Sequence, residues 1–113
     1  MPASKLQRTI NSDQRQKPKV VGVDAAYTAL PQDSYIIVSS TADSVKVITL
    51  PNVPFVTSIT IRMTARVAGS YTANVTGGVL TLDSAGESAI VISDPTTGVA
   101  TWAVASVFGA TVV

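Results

Sequence analysis

Cysteine and histidine are both absent from the 113 residues. Without thiols there is no disulfide framework, no thiolate nucleophile and no zinc-thiolate centre. Without imidazole the chain lacks the usual base at neutral pH and the commonest metal ligand. A serine or threonine nucleophile would need a lysine as its base, and Lys46, inside an alternating strand pattern, is a poor candidate. The reading is a protein that is not an enzyme, takes no cofactor or metal and acts on no small-molecule substrate. Long apolar runs are missing too. The opening Met1-Pro2-Ala3-Ser4-Lys5 lacks the apolar stretch of a signal peptide, and nothing approaches the 18 or more residues of a membrane span. We therefore expect a protein made in a cytoplasm, without a membrane partner, that leaves it only as part of something larger.

Aromatics are scarce: one Trp, three Tyr and two Phe. Apolar area must come from small aliphatics, and 17 Val, 14 Thr and 8 Ile dominate the row. These β-branched types are stiff at χ1 and suit a pleated surface better than a helix. The fold expected is all-β: one small sandwich or barrel-like domain of about seven or eight short antiparallel strands, over residues 24–113, preceded by an extended basic arm over residues 1–23. A core so poor in aromatic bulk gains stability by association, because each Å² of apolar surface removed from water contributes roughly 25 cal/mol. Oligomerisation is expected on that ground.

Charge is divided by sign along the chain. Residues 1–19 hold Lys5, Arg8, Arg15, Lys17 and Lys19 against Asp13, a balance of +4; the remainder holds three basic and six acidic residues, a balance of −3. The arm has no sustained period. One helical turn over Leu6 to Ile10 would be marginal alone, and Lys17-Pro18-Lys19 disfavours its continuation. Stretched out, 23 residues reach roughly 75 Å at about 3.3 Å each. Five charges without interleaved aromatics argue against nucleic acid as the partner, since duplex binding needs many phosphate contacts and single strands need stacking platforms. Acidic protein surface suits them better, while a solvated tail that only aids solubility is the plain alternative.

From Tyr27 onward, strand-like runs recur between turn residues. "SYIIVSS" (34–40) and "SVKVITLP" (44–51) come first, with Pro51 and Pro54 interrupting. "TSITIRMTARV" (57–67) puts Ile59, Ile61, Met63 and Ala65 on one face and Thr60, Arg62, Thr64 and Arg66 on the other. "YTANVTGGVLTLD" (71–83) reads as a hairpin turning at Gly77-Gly78. "ESAIVIS" (87–93) and "GVATWAVASVF" (98–108) read as a second, with Trp102, Val104 and Phe108 sharing a face and Trp102 as the largest core plug. Ile59, Ile61, Met63, Trp102, Val104 and Phe108 are thus the candidates for core or subunit packing. No period of 20 to 50 residues is visible, which speaks against a solenoid.

Other features have plain readings. Arg62 and Arg66 mark an exposed polar face. Asp83 and Glu87 around Gly86 are turn chemistry, too few oxygens for calcium. Asn74-Val75-Thr76 fits a glycosylation sequon that lacks a secretory context. Tyr27, Tyr35 and Tyr71 suit strand packing better than a shared sugar groove.

"YTALPQDSYIIVSS", "VKVITLPN", "SITIRM" and "GESAIVISDPTTGVATWAVAS" together resemble the small β domains of tailed-bacteriophage virion proteins, notably head fibres and capsid decoration (cement) proteins. The resemblance spans about residues 27–108. It departs from the pattern where Asp-Gly is replaced by Asp94-Pro95-Thr96-Thr97-Gly98 and where Met63 follows the Ile strand. It implies a homotrimeric, non-catalytic component of the outer capsid surface, with the major capsid protein as its partner and the five basic arm residues as the docking element. The alternative it carries is a head-fibre or tail-fibre domain that binds host glycans.

Overall fold

The computed structural model describes residues 18–113. Lys5, Arg8, Arg15 and Lys17, and the turn considered at Leu6 to Ile10, lie outside the described residues. The rest is all-β, in two mixed sheets of five strands. The strands are β1 (Lys19–Val20), β2 (Tyr27–Thr28), β3 (Tyr35–Ser40), β4 (Val45–Thr49), β5 (Ser58–Arg66), β6 (Ser70–Val75), β7 (Gly78–Leu82), β8 (Ser88–Asp94), β9 (Thr101–Phe108) and β10 (Thr111–Val112). Sheet I runs β1-β3-β5-β8-β9 and sheet II runs β10-β7-β6-β4-β2.

The expectation of seven or eight antiparallel strands is corrected in count and in direction. From β1 to β6 the chain changes sheet at every strand, so next-but-one strands pair in parallel: β1 with β3, β2 with β4, β3 with β5 and β4 with β6. A parallel pair needs a long crossover, and here each crossover passes through a strand of the opposite sheet instead of a helix. Partners lie 25 residues apart in both Tyr35↔Thr60 and Val45↔Ser70. The first half is therefore a short two-sided coil despite the absence of any sequence repeat, because the winding needs only in–out alternation and adequate loop length. The second half is antiparallel, as expected: β6–β7 and β8–β9 are hairpins, and β8 and β10 lie antiparallel to β5 and β7.

The first hairpin turns one residue earlier than its glycines suggested. Val75 pairs with Gly78, so Thr76-Gly77 is the loop and Gly77 supplies the positive φ of 90°. Sheet I also begins earlier than residue 24, since Lys19 and Val20 pair with Ile36 and Ile37 and Val21 is buried.

Inward residues of both sheets form one aliphatic layer. Sheet I contributes Ile36, Val38, Ile59, Ile61, Met63 and Val91; sheet II contributes Ile48, Tyr71, Leu80 and Leu82. Tyr71 is the largest fully buried side chain, and its hydroxyl donates to the Ala25 carbonyl at 2.8 Å. Burial pushes that phenol's pKa up. Trp102 closes one end of the layer, 4% exposed, with Nε1 donating to the Pro51 carbonyl at 2.9 Å. Val104 is partly buried against the same core.

Two one-residue slips end the alternation that the sequence pattern implied. In β5, Val38 faces Met63 but Ser39 faces Ala65, so Thr64 is an extra residue. Arg66 thereby shares a side with buried Ser40, whereas Arg62 stays outward beside Ile37, and the two arginines do not share a face. In β9, Val91 faces Val104 but Ile90 faces Ser106, so Ala105 is the extra residue. A slip of one residue reverses every side chain beyond it. Phe108 is consequently turned away from the side of Trp102 and Val104 and is 73% exposed.

Replacing Trp102 by Ala should destabilise the protein by about 3–5 kcal/mol. Trp102→Phe, which loses chiefly the bond to Pro51, should cost about 1–2 kcal/mol. Urea denaturation followed by far-ultraviolet circular dichroism checks both the size and the order.

Candidate interaction surface

Among the described residues, the one arrangement that resembles catalytic chemistry is buried. Lys46 Nζ lies 2.7 Å from Ser40 Oγ, the separation of a serine–lysine pair. Both residues are inaccessible, at 5% and 0% exposure. The ammonium also donates to the Ala42 carbonyl at 2.5 Å and meets Asp24 Oδ1 at 3.1 Å, and the Ser40 hydroxyl donates to the Ala68 carbonyl at 2.5 Å. Three donors with three partners make a structural cation, not a base. Sequence reasoning placed Lys46 on a strand but missed this, because its partners come from the end of β3 and from two separate loops.

Asp24 is the hub of the cluster. It holds the left-handed φ of 60° that Asp tolerates. Its carboxylate accepts from the Thr41 hydroxyl at 2.5 Å and from the Thr41 and Ala42 backbone N–H groups at 2.7 and 3.1 Å. The Thr41 hydroxyl first, then these N–H groups, with Lys46 adding less, hold its pKa well below the usual carboxylate range. Gly69 closes the packing: at φ 80°, a Cβ there would lie 2.2 Å from the Ala42 carbonyl oxygen.

The other polar candidates resolve into turns. Glu87 Oε1 accepts from the Asp83 and Ser84 N–H groups at 2.7 and 3.2 Å. No cluster of three or more acidic residues suited to a metal occurs among the described residues. The tyrosines are dispersed: Tyr71 is in the core, Tyr35 is on the outer face of sheet I, and Tyr27 packs under Lys19, whose Nζ sits 5.3 Å from the ring centre. The Tyr27 hydroxyl donates to Asp33 at 2.5 Å, and burial together with that carboxylate pushes its pKa up to about 12. Lys19, the one basic arm residue within the described segment, is thus part of the β domain.

What remains unpartnered is surface. Across sheet I the outward rows read Tyr35–Thr60–Ile90–Ser106 and Ser58–Ile92–Ala103. Arg62 and Asp94 border these rows at opposite ends. Ile90 and Ile92 are 37% and 38% exposed in the middle of the sheet. The outward rows of sheet II, Val47–Thr72–Thr81–Thr111 and Asn74–Val79 among them, carry no charge at all. Apart from Arg62, midway along β5, and Lys46, which points inward, charged side chains sit in the turns or at the strand ends.

Strand β9 completes this surface as an edge. It is eight residues long, without a charge or a proline, and from Ala105 to Phe108 every residue is exposed. Its start is guarded, since Thr76 N–H donates to the Trp102 carbonyl at 2.7 Å. Beyond that point it lacks the lysines, prolines or short length with which lone sheets protect an edge. The bulge at Ala105 brings Phe108 out beside this open stretch. Of the six packing candidates, then, Ile59, Ile61, Met63 and Trp102 are core, Val104 is at its margin, and Phe108 is on the surface.

Comparison with protein-family models, curated proteins and solved structures returns no match.

A carboxylate whose folded pKa is depressed contributes stability above its unfolded value of 3.8, and that stability drains away as pH falls through the folded value. Between pH 4 and pH 2 the urea midpoint of the wild-type protein should therefore fall more steeply than that of Asp24→Asn. Parallel slopes would remove Asp24 from the acid response.

Proposed function

We propose that the protein is a homotrimeric capsid decoration protein of a tailed bacteriophage, seated on the outer capsid surface through its N-terminal arm and strengthening the shell. The observation that carries this reading is the uncharged outer strip of sheet I, which runs through Ile90, Ile92 and Ala103 to the uncovered edge and exposed Phe108 of β9. A thin aliphatic sandwich that leaves such a strip to solvent forgoes stability which a neighbouring subunit would supply. The number three and the capsid come from the resemblance to virion β domains. An edge-to-face contact around an axis also fits sheet I, whose two edges are unlike: two residues in β1, eight in β9.

The arm supplies the second half of the reading. Residues 1–17 carry Lys5, Arg8, Arg15 and Lys17 against Asp13, and residues 18–113 carry four basic against six acidic side chains. The body is thus ill-matched to an acidic shell surface and the arm well-matched. Three arms on one trimer make the second and third contacts intramolecular, which raises avidity by roughly 10²–10⁴ over one arm. The trimer then bridges neighbouring capsomers, and the shell fails at a higher temperature or internal pressure.

Light scattering of the full chain at micromolar concentration should give three times the 11.7 kDa protomer mass, and Ile90→Lys with Ile92→Lys should reduce it to one protomer without loss of the β spectrum. A wild-type monomer would end the proposal. Deleting residues 1–17, which spares β1, should leave the trimer intact and abolish its occupancy on purified capsids. Undiminished occupancy would remove the arm from docking.

A further inference from the structure

The ladder between β4 and β6 stops early. It pairs Val45 with Ser70, Lys46 with Tyr71 and Val47 with Thr72, and goes no further. Each strand continues on its other side, β4 beside β2 through Ile48 and Thr49, β6 beside β7 through Val75. The two strands therefore splay, and a groove of about 390 Å³ opens between them, closed on a third side by the start of β9. Its size falls within the range of small-molecule sites.

The lining has a definite chemistry. Thr49, Asn74, Thr76 and Thr101 border the groove, all exposed, and none of their side chains hydrogen-bonds to another of the described residues. Val47 and Val75 supply apolar wall, and Trp102, almost wholly buried, backs it. No charged residue lines it. Asn offers two donors and one acceptor group, and each Thr hydroxyl offers both functions. Beyond Val47 and Thr72 the facing backbone edges of β4 and β6 also have no strand between them.

We propose that this groove binds a neutral saccharide. A sugar ring presents hydroxyls that both donate and accept, together with apolar C–H faces, and it matches free hydroxyls and an amide set beside Val47 and Val75. An anionic or cationic ligand would find no counter-charge. An extended peptide competes for the backbone edges between the strands, but β4 offers only Ile48 and Thr49 and β6 only Ala73 to Val75, at most roughly 10 Å at about 3.3 Å per residue, too short to fix a strand's register. The groove meets sheet I only at the start of β9, through Thr101 and Trp102, short of the open stretch from Ala105 to Phe108, and light scattering beside the titration tells a failed trimer from a failed site.

The test is a titration of ¹⁵N-labelled full-length protein with glucose, galactose, N-acetylglucosamine, lactose and chitobiose. The Trp102 indole N–H and the Thr76 and Thr101 amides should shift saturably with at least one of these sugars. Asn74→Ala and, separately, Thr76→Val should weaken that binding about tenfold or more. Thr111→Ala, on the same sheet outside the groove, should leave it unchanged. The proposal is overturned if no sugar gives saturable shifts, if both groove variants titrate like the wild type, or if an uncharged Ser/Thr peptide shifts these amides while the sugars do not.

Discussion

A period of two is the constraint from which the rest of this structure follows. Each strand sends alternate residues into a single aliphatic layer and the others outward, and the core contains little besides Val, Ile, Leu, Met and Ala around Tyr71 and Trp102. Such a layer tolerates no change of parity, so wherever the chain slips by one residue the inward set must end. The slips at Thr64 and Ala105 fall where β5 and β9 run past the layer. Beyond the first, Arg66 turns back and its Nε donates to the Gly69 carbonyl at 3.1 Å. Beyond the second, Phe108 turns out. One strand end is thus folded into its own loop, and the other is left open to a partner.

The same constraint decides where charge can sit. Outward positions on both sheets are mostly Thr, Ser, Val, Ile and Ala, and apart from Arg62 on β5 charge is displaced to turns where carboxylates serve as hydrogen-bond acceptors. Asp24, Asp33, Glu87 and Asp94 each cap backbone N–H groups in this way. Their net effect is to lock loops. Lys46 is the inward exception that shows the cost: an ammonium brought inside needs all of its protons satisfied, and the end of β3 and the loops that hold Asp24 and Ala42 are drawn together around it to do so. The gathering of Gly69, Ala42 and Asp24 at that point stiffens the end of the sandwich opposite Trp102.

Much of the fold was legible because alternation is a local property. The runs at residues 34–40, 44–51, 57–67, 71–83, 87–93 and 98–108 each hold a strand or a hairpin arm, and Ile59, Ile61, Met63 and Trp102 are buried as their positions implied. Pairing direction was not legible. Nothing in "SYIIVSS" distinguishes a parallel neighbour from an antiparallel one, and the two-residue strands β1 and β2 are too short to carry a pattern. Parity beyond a bulge was invisible for a related reason, since Ala105 and Thr64 look like ordinary strand residues until the partner strand is known. The interaction surface was half legible: Phe108 was singled out for packing, but its exposure depends on the bulge, and the Ile90–Ile92 strip depends on which strands lie beside β8.

The separation of docking and assembly follows from the same economy of charge. At physiological ionic strength an exposed charge is screened beyond about 8 Å, so cations placed on the rigid faces would act only where shell and sheet fit closely together. In the proposed assembly the cations that precede β1 in the sequence meet the shell instead. The Ile90–Ile92 strip, free of charge, then packs against neutral surface without desolvating an ion. In the proposed assembly these two demands fall to different parts of one short sequence: specificity of fit to the uncharged Ile90–Ile92 strip, and strength of attachment to several weak contacts joined through the trimer. A sequence that mixed them, with lysines along β8 and β9, would protect its edge but lose its reason to associate.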